Sequence, residues 1–337
     1  MTLPKNLPQT EVPRLLAPGD TVALVAPSSP VPAERVEGGV RLLQSWGLTV
    51  QVGAHVGASD HAGILAGTDR DRADDLQAAW CDPQVAAVFC ARGGYGATRL
   101  LELLQYPDLA AAGPKLLVGS SDVTALHQAW AARLGLATVF GPMPATELLG
   151  ESTPEPASVQ ALHRLLFQPG PARLQATQML VGPVGAGDAA SVIDAPVVGG
   201  TISLLSATQG TPFTAPAQDS IVFLEDVTES PYRIDRMLTH LRSSGWLEGA
   251  RAVVVGSLHD CGDPEVLRQV LLDRLGDLGA PVWTGLPAGH GAVQRSILLG
   301  APARFDAQTG ALEVRGLGSG PAPTAPTAPT APTAPTA

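Results

Sequence analysis

Lysine is nearly missing from this chain: Lys5 and Lys115 are the only two among 337 residues. Arginine carries the rest of the positive charge, and the balance stays acidic, with 21 basic against 31 acidic side chains and a net charge of −10. A broad nucleic-acid or anionic-membrane surface needs a basic face, so both kinds of partner are disfavoured. Cysteine is scarce too. Cys81, Cys90 and Cys261 are odd in number and lack metal-type spacing, which points to packed, reduced thiols and away from a disulfide framework or a metal site. No stretch approaches the roughly 20 apolar residues that a membrane span requires. Residues 1–18 have neither a continuous apolar core nor a cleavage-site pattern, so no signal peptide is expected and the cytoplasm is the default location. Charged residues make up only 15% and hydrophobic ones 45%, the composition of a globular protein, long enough for two domains.

Strand and helix signals alternate through the first half. Short β-rich runs at 21–26, 48–52, 85–90, 115–118 and 137–140 are separated by helical patterns over 36–46, 70–80, 97–104 and 123–134, with Asp69 a candidate cap for the second. That alternation predicts a parallel sheet covered by helices, with sites at the C-terminal strand ends. The pattern weakens over 147–185, where one helix (157–167) and Pro169-Gly-Pro171 suggest a linker. Strands return at 220–224, 252–256, 281–284 and 311–314, with helices over 231–241 and 265–275. The first of those helices has Ser230 as cap and proline at its first position. The resulting division is an extension (1–15), a first domain (16–146), a linker (147–185), a second domain (186–316) and a tail (317–337). The tail's Ala-Pro-Thr repeat has nothing to bury and predicts an extended, disordered chain.

Four stretches could carry chemistry. In Gly119-Ser-Ser-Asp122 a strand enters a tight turn and then a helix, the context of a nucleophile elbow, although the G-x-S-x-G pattern is absent. The same residues could simply cap the helix. Arg92-Gly-Gly-Tyr-Gly-Ala97 offers backbone N–H groups at a strand–helix turn, without phosphate-loop or dinucleotide spacing. Val222-Phe-Leu-Glu-Asp226 ends an apolar strand in carboxylates, which could orient a histidine or merely solvate the strand end. Among seven histidines, His290 in a Gly/Pro loop and then His259 after a strand are candidate bases, whereas His127 in the elbow helix reads as structural.

Taken together, Gly119-Ser-Ser-Asp-Val-Thr-Ala-Leu126, the Arg92–Gly96 turn and Leu224-Glu-Asp-Val-Thr-Glu-Ser-Pro-Tyr-Arg-Ile-Asp-Arg236 resemble the LD-carboxypeptidase family of serine peptidases, which includes the microcin C self-immunity peptidases. Leu16-Ala-Pro-Gly-Asp20, Val25-Ala-Pro-Ser-Ser29, Gly141-Pro-Met143, Gly199-Gly200 and the loop ending at His290 extend the match over roughly residues 16–314. The resemblance implies a flavodoxin-like N-terminal domain followed by a smaller swivelling β/α domain, a homodimer, and no metal or organic cofactor. It implies a Ser–Glu–His triad of Ser121, Glu225 and His290, with an oxyanion hole from the N–H groups of Gly94 and Asp122. The implied reaction removes the terminal D-alanine of a murein tetrapeptide; the alternative is an immunity-type amidase acting on peptidyl or aminoacyl nucleotide toxins. That alternative calls for an aromatic residue in the linker, where Phe167 is the only one between Gly150 and Gly185. Arg92, Arg233 and Arg236 are candidates for the substrate carboxylate. Where relatives often carry Gly-Gly-Asn, this chain has Gly199-Gly-Thr201. Two rivals from other classes are a glutamine amidotransferase, which needs cysteine where Ser121 stands, and a binding module without chemistry.

Overall fold

The computed structural model describes residues 10–183 and 191–318. Five strands, β1 (Thr21–Val25), β2 (Thr49–Val52), β3 (Val85–Cys90), β4 (Leu116–Gly119) and β5 (Thr138–Phe140), lie side by side and all parallel in the order β2-β1-β3-β4-β5. That is the flavodoxin-like order, and its central strands are apolar throughout because helices cover both faces. The helices of this half are α1 (Ala33–Ser45), α2 (Asp69–Cys81), α3 (Tyr106–Ala111), α4 (Thr124–Ala129) and α5 (Pro156–Phe167).

The segment expected as a linker carries α5 and two strands, β6 (Ala172–Gln175) and β7 (Gln178–Val181). Then follow β8 (Val192–Thr201), β9 (Ile221–Val227), β10 (Ala252–His259), β11 (Val282–Thr284), β12 (Ile297–Leu299), β13 (Pro302–Asp306) and β14 (Ala311–Val314), with helices α6 (Ile202–Ala207), α7 (Pro231–Ser243) and α8 (Pro264–Leu275). The second sheet runs β6-β14-β13-β8-β9-β10-β11-β7. Its middle, β8 to β11, is parallel and its flanks are antiparallel.

The two halves are stitched together. β12 leaves the second half and pairs antiparallel with β5, becoming the edge of the first sheet. One apolar core runs through both, with Phe140 of β5 meeting Phe223 of β9 edge to face at 5.2 Å.

Several local expectations needed correction. Residues 97–100 form a 3₁₀ turn where a helix over 97–104 was expected, entered from Gly96 at φ 121° with no capping side chain. Thr68, not Asp69, caps α2, through a capping box with Asp71. Ser230 does occupy the cap position of α7, but its side chain makes no capping bond. Cys90 and Cys261 are buried, and all three cysteines are unbridged. Of the tail, residues 319–337 lie outside the described residues.

His127 of α4 is buried against the end of β4, with its Nε2 3.0 Å from the carbonyl of Gly119. Burial pushes its imidazole down to about 4, so it is neutral and Nε2–H is the donor. An unfolded histidine takes up its proton near 6.5, so between those two values the unfolded chain binds one more proton than the folded one. Stability contributed by this residue is therefore intact above about pH 6.5 and falls as pH drops towards 4, by roughly 3 kcal/mol. Urea unfolding at both pH values should show the wild type losing about that much more than His127→Gln.

Candidate active site

Ser121 follows directly on β4. Gly119 must be small there, since a Cβ would lie 2.7 Å from Val123 Cγ1. Ser121 itself sits at φ 61°, in the left-handed region that a non-glycine residue enters only at a cost of about 1–2 kcal/mol. Ser120, at the cap position of the following 3₁₀ turn, makes no side-chain capping bond, so the plain capping reading of these serines is not what the structure contains. The turn is pinned from below, because the Gly119 carbonyl accepts the Gly141 N–H at 3.0 Å as well as the His127 ring.

Asp122 turns its side chain inward. Its Oδ2 accepts the Ser28 hydroxyl and the Ala97 N–H, both at 2.7 Å, tying the serine turn to the loop after β1 and to the glycine turn after β3. Burial pushes this acid up, against the pull of those two hydrogen bonds and of Arg72. The glycine turn lies directly over Ser121. A Cβ on Gly93 would approach Ser121 Cβ to 2.7 Å and its Oγ to 3.0 Å. The next residue, Gly94, stands at φ 113° against Ser29, where a Cβ would meet Ser29 Oγ at 2.3 Å. The N–H groups of Gly94 and Asp122 donate to no acceptor among the described residues.

Glu225 comes from the other half. It closes the apolar run of β9 and has no solvent exposure. Its Oε2 lies 2.7 Å from His290 Nδ1 and accepts the His290 N–H at 3.0 Å. Gly289, at φ 99°, makes this approach possible, for a Cβ there would come within 2.6 Å of the same oxygen. The Oε1 accepts the Thr201 hydroxyl. With Nδ1 held, Nε2 is the ring nitrogen left for the cleft that His290 lines. Burial lowers the proton affinity of His290, but the hydrogen bond and charge of Glu225, helped by Asp226, outweigh it and the net shift is upward. Asp226 points elsewhere, taking the N–H groups of Ser203 and Val227, and is pushed up to about 6, chiefly by burial.

Ser121, Gly93, Gly94 and His290 line one cleft of about 520 Å³ between the halves. Arg92 lines it too, its Nη1 donating to the Pro30 carbonyl at 3.2 Å. Arg233 and Arg236 do not. On α7, Arg233 pairs with Glu229 at 3.2 Å, and Arg236 lies over the Tyr232 ring at 5.4 Å. His259 reaches the rim of the cleft, more than half exposed beside Asp260, and Glu225 pairs with His290 instead. The cleft also holds a cation that sequence reading missed. Arg35 of α1 lines it and bridges Glu147 at 3.1 Å and Glu151 at 3.2 Å. Nothing local to α1 marks it, because its partners lie more than a hundred residues away. Phe167 is occupied by stacking on His163 at 4.6 Å and packing edgewise on Trp46.

Ser121 and the histidine of a carboxylate–histidine couple thus line one cleft, and these are residue types that nucleophilic acyl transfer uses. Residues 22–141 match the model of the LD-carboxypeptidase N-terminal domain, and residues 194–305 that of the C-terminal domain. A Streptomyces coelicolor protein whose carboxypeptidase name is provisional is 48% identical over 303 residues, 89% of this chain and 94% of its own. The murein tetrapeptide carboxypeptidase of Pseudomonas aeruginosa is 35% identical over 281 residues, 82% of this chain and 89% of its own. Among solved structures, a muramoyltetrapeptide carboxypeptidase from Oxalobacter formigenes superposes with a TM-score of 0.73 at 27% identity, covering 88% of this chain and 98% of its own. A MccF-like protein from Bacillus anthracis shares the fold with a TM-score of 0.81 at 21% identity, over 91% of this chain and the whole of that one. On the serine turn, the glycine turn and the carboxylate–histidine couple, and on these likenesses, the chain belongs to the LD-carboxypeptidase family.

Proposed function

We propose that this protein is a serine carboxypeptidase that removes the terminal D-alanine from murein tetrapeptides, with Ser121 as nucleophile, His290 as general base and Glu225 as the carboxylate that orients it. The observation carrying this reading is the Glu225–His290 couple, 2.7 Å across, whose histidine lines one cleft with a serine held at φ 61°. The identity to carboxypeptidases named for murein tetrapeptides supports the substrate. A place in the cytoplasm would suit wall fragments taken up for reuse.

In this mechanism Ser121 Oγ attacks the carbonyl before the terminal residue while its proton passes to His290 Nε2. The oxygen of the tetrahedral species takes its negative charge towards the N–H groups of Gly94 and Asp122, each of which is worth about 3 kcal/mol when well aimed. The C–N bond then breaks as His290 returns the proton to the departing amine, and D-alanine leaves. Water, deprotonated by the same imidazole, releases the acyl group by the reverse route. Glu225 keeps Nδ1 protonated and stabilises the imidazolium that forms. Of the three arginines considered for the substrate's terminal carboxylate, Arg92 lines the cleft, and its guanidinium would bind that carboxylate with two parallel hydrogen bonds.

D-alanine release from an L-Ala-γ-D-Glu-(diamino acid)-D-Ala peptide should be lost by about ten-thousandfold in Ser121→Ala. Absence of release by the parent protein with any diamino acid at the third position would overturn the substrate. His290 must be neutral to accept the proton, and its pKa is raised. Activity should therefore fall as pH decreases, with the acid limb of kcat/KM centred above the ordinary histidine value of 6.5. Glu225→Gln should move that limb to lower pH while reducing the rate. In Gly93→Ala the new methyl would press on Ser121 and force the serine turn to shift, so kcat/KM should drop by about a hundredfold or more, with Tm lowered by a few degrees.

A further inference from the structure

Thr201 ends β8, where a strand of the second sheet runs into α6. The two residues before it, Gly199 and Gly200, both have φ in the glycine region, at 134° and 136°. A Cβ on Gly200 would come within 2.7 Å of the side chain of Thr124, three residues after Ser121 at the start of α4. The glycine pair thus lets β8 approach the serine helix closely enough for backbone bonding. Thr201 N–H donates to Thr124 Oγ1 at 3.1 Å, and the Thr124 hydroxyl donates to Thr201 Oγ1 at 3.3 Å.

A hydroxyl has one proton to give. With Thr124 donating to it, Thr201 Oγ1 gives its own proton to Glu225 Oε1, and the Ser121 carbonyl oxygen lies 3.3 Å from the same Oγ1. The two oxygens of Glu225 are therefore shared out. Oε2 takes both N–H groups of His290, and Oε1 takes the Thr201 hydroxyl. Thr124 and Ser121 belong to the first sheet's half, Thr201, Glu225 and His290 to the second. The hydrogen-bond chain Thr124–Thr201–Glu225–His290 crosses between them at the point where the reacting groups must align.

We propose that Thr201 is a positioning residue that, anchored by Thr124, sets the Glu225–His290 couple in register with Ser121 across the two halves. The inference rests on the assigned roles of Ser121, Glu225 and His290. The charged and titratable groups around His290 are Glu225 and Asp226 from β9, with His259, Arg92, Arg35 and Glu147 around the same cleft. Changing Thr201 substitutes none of them and removes only the donor to Glu225 Oε1.

The test compares Thr201→Val, which keeps the shape and removes the donor, with Thr201→Ser, which keeps the donor. The expected loss in kcat for valine is on the order of tenfold to a hundredfold, the worth of one hydrogen bond to a charged group, with KM within about twofold. Serine should restore most of it. In a Glu225→Gln background the valine change should add little, because the carboxylate it serves is gone. A second readout needs no substrate. NMR titration of His290 should show its pKa rising in Thr201→Val, since a donor dipole that repelled the imidazolium through Glu225 has been removed. Should the valine variant fail to fold, Thr124→Val breaks the anchor alone and is expected to lower kcat in the same direction. Turnover and His290 titration both unchanged in the variants would overturn the proposal, as would an equal loss in the Glu225→Gln background. A shifted His290 titration in a protein that releases no D-alanine would sink the murein substrate and leave the brace standing.

Discussion

A carboxylate with no solvent exposure is the constraint around which the two halves are arranged. Glu225 ends an apolar strand, and a charge taken out of water survives only if its oxygens are given donors. Two of those donors come from His290 and one from Thr201. Each demands a backbone that ordinary residues resist. Gly289 clears the space beside Oε2, and Gly199 and Gly200 let the end of β8 turn inward. A side chain at Gly199 would strike the Phe223 carbonyl at 1.9 Å, two residues before Glu225 itself.

The serine side follows a parallel logic. Ser121 is held in a left-handed conformation by bonds that converge on its neighbours. Asp122 supplies most of that restraint by reaching inward to Ser28 and Ala97. The acidic residue beside Ser121 thus serves the architecture through its side chain, and its backbone N–H donates to no acceptor among the described residues. Strain at Ser121 is sustained because the surrounding turn is over-determined.

Joining the halves requires more than contact between two sheets. β12 is drawn out of the second half to pair with β5, and Phe140 meets Phe223 through a shared core. The loop carrying His290 lies shortly before β12, so His290 is delivered by the same segment that ties the sheets together. Sequence reading overlooked β6, β7, β8, β12 and β13. β8 contains Pro196 and two glycines just before its last residue, signals that normally argue against a strand, and β12 is only three residues long.

The alternation of strands and helices, the serine turn, the glycine turn and the carboxylate at the end of β9 were all legible in the chain, because periodicity and turn chemistry are written locally. That His290 and not His259 meets Glu225 came from the family resemblance and not from local chemistry, since it depends on which loop comes to Glu225 from 65 positions away. Helical spacing could place Arg233 and Arg236 on one face of α7 but not aim that face, which turns to Glu229 and Tyr232 while Arg35 and Arg92 reach the cleft. Thr201 carried even less local signal. Its part is decided by Gly200 passing against Thr124, a contact between two sheets that no window of sequence contains. Residue chemistry and local conformation belong to the sequence by itself. Which groups meet was decided by tertiary structure alone, because hydrogen bonds act over about 3 Å while their partners lie tens to hundreds of residues apart.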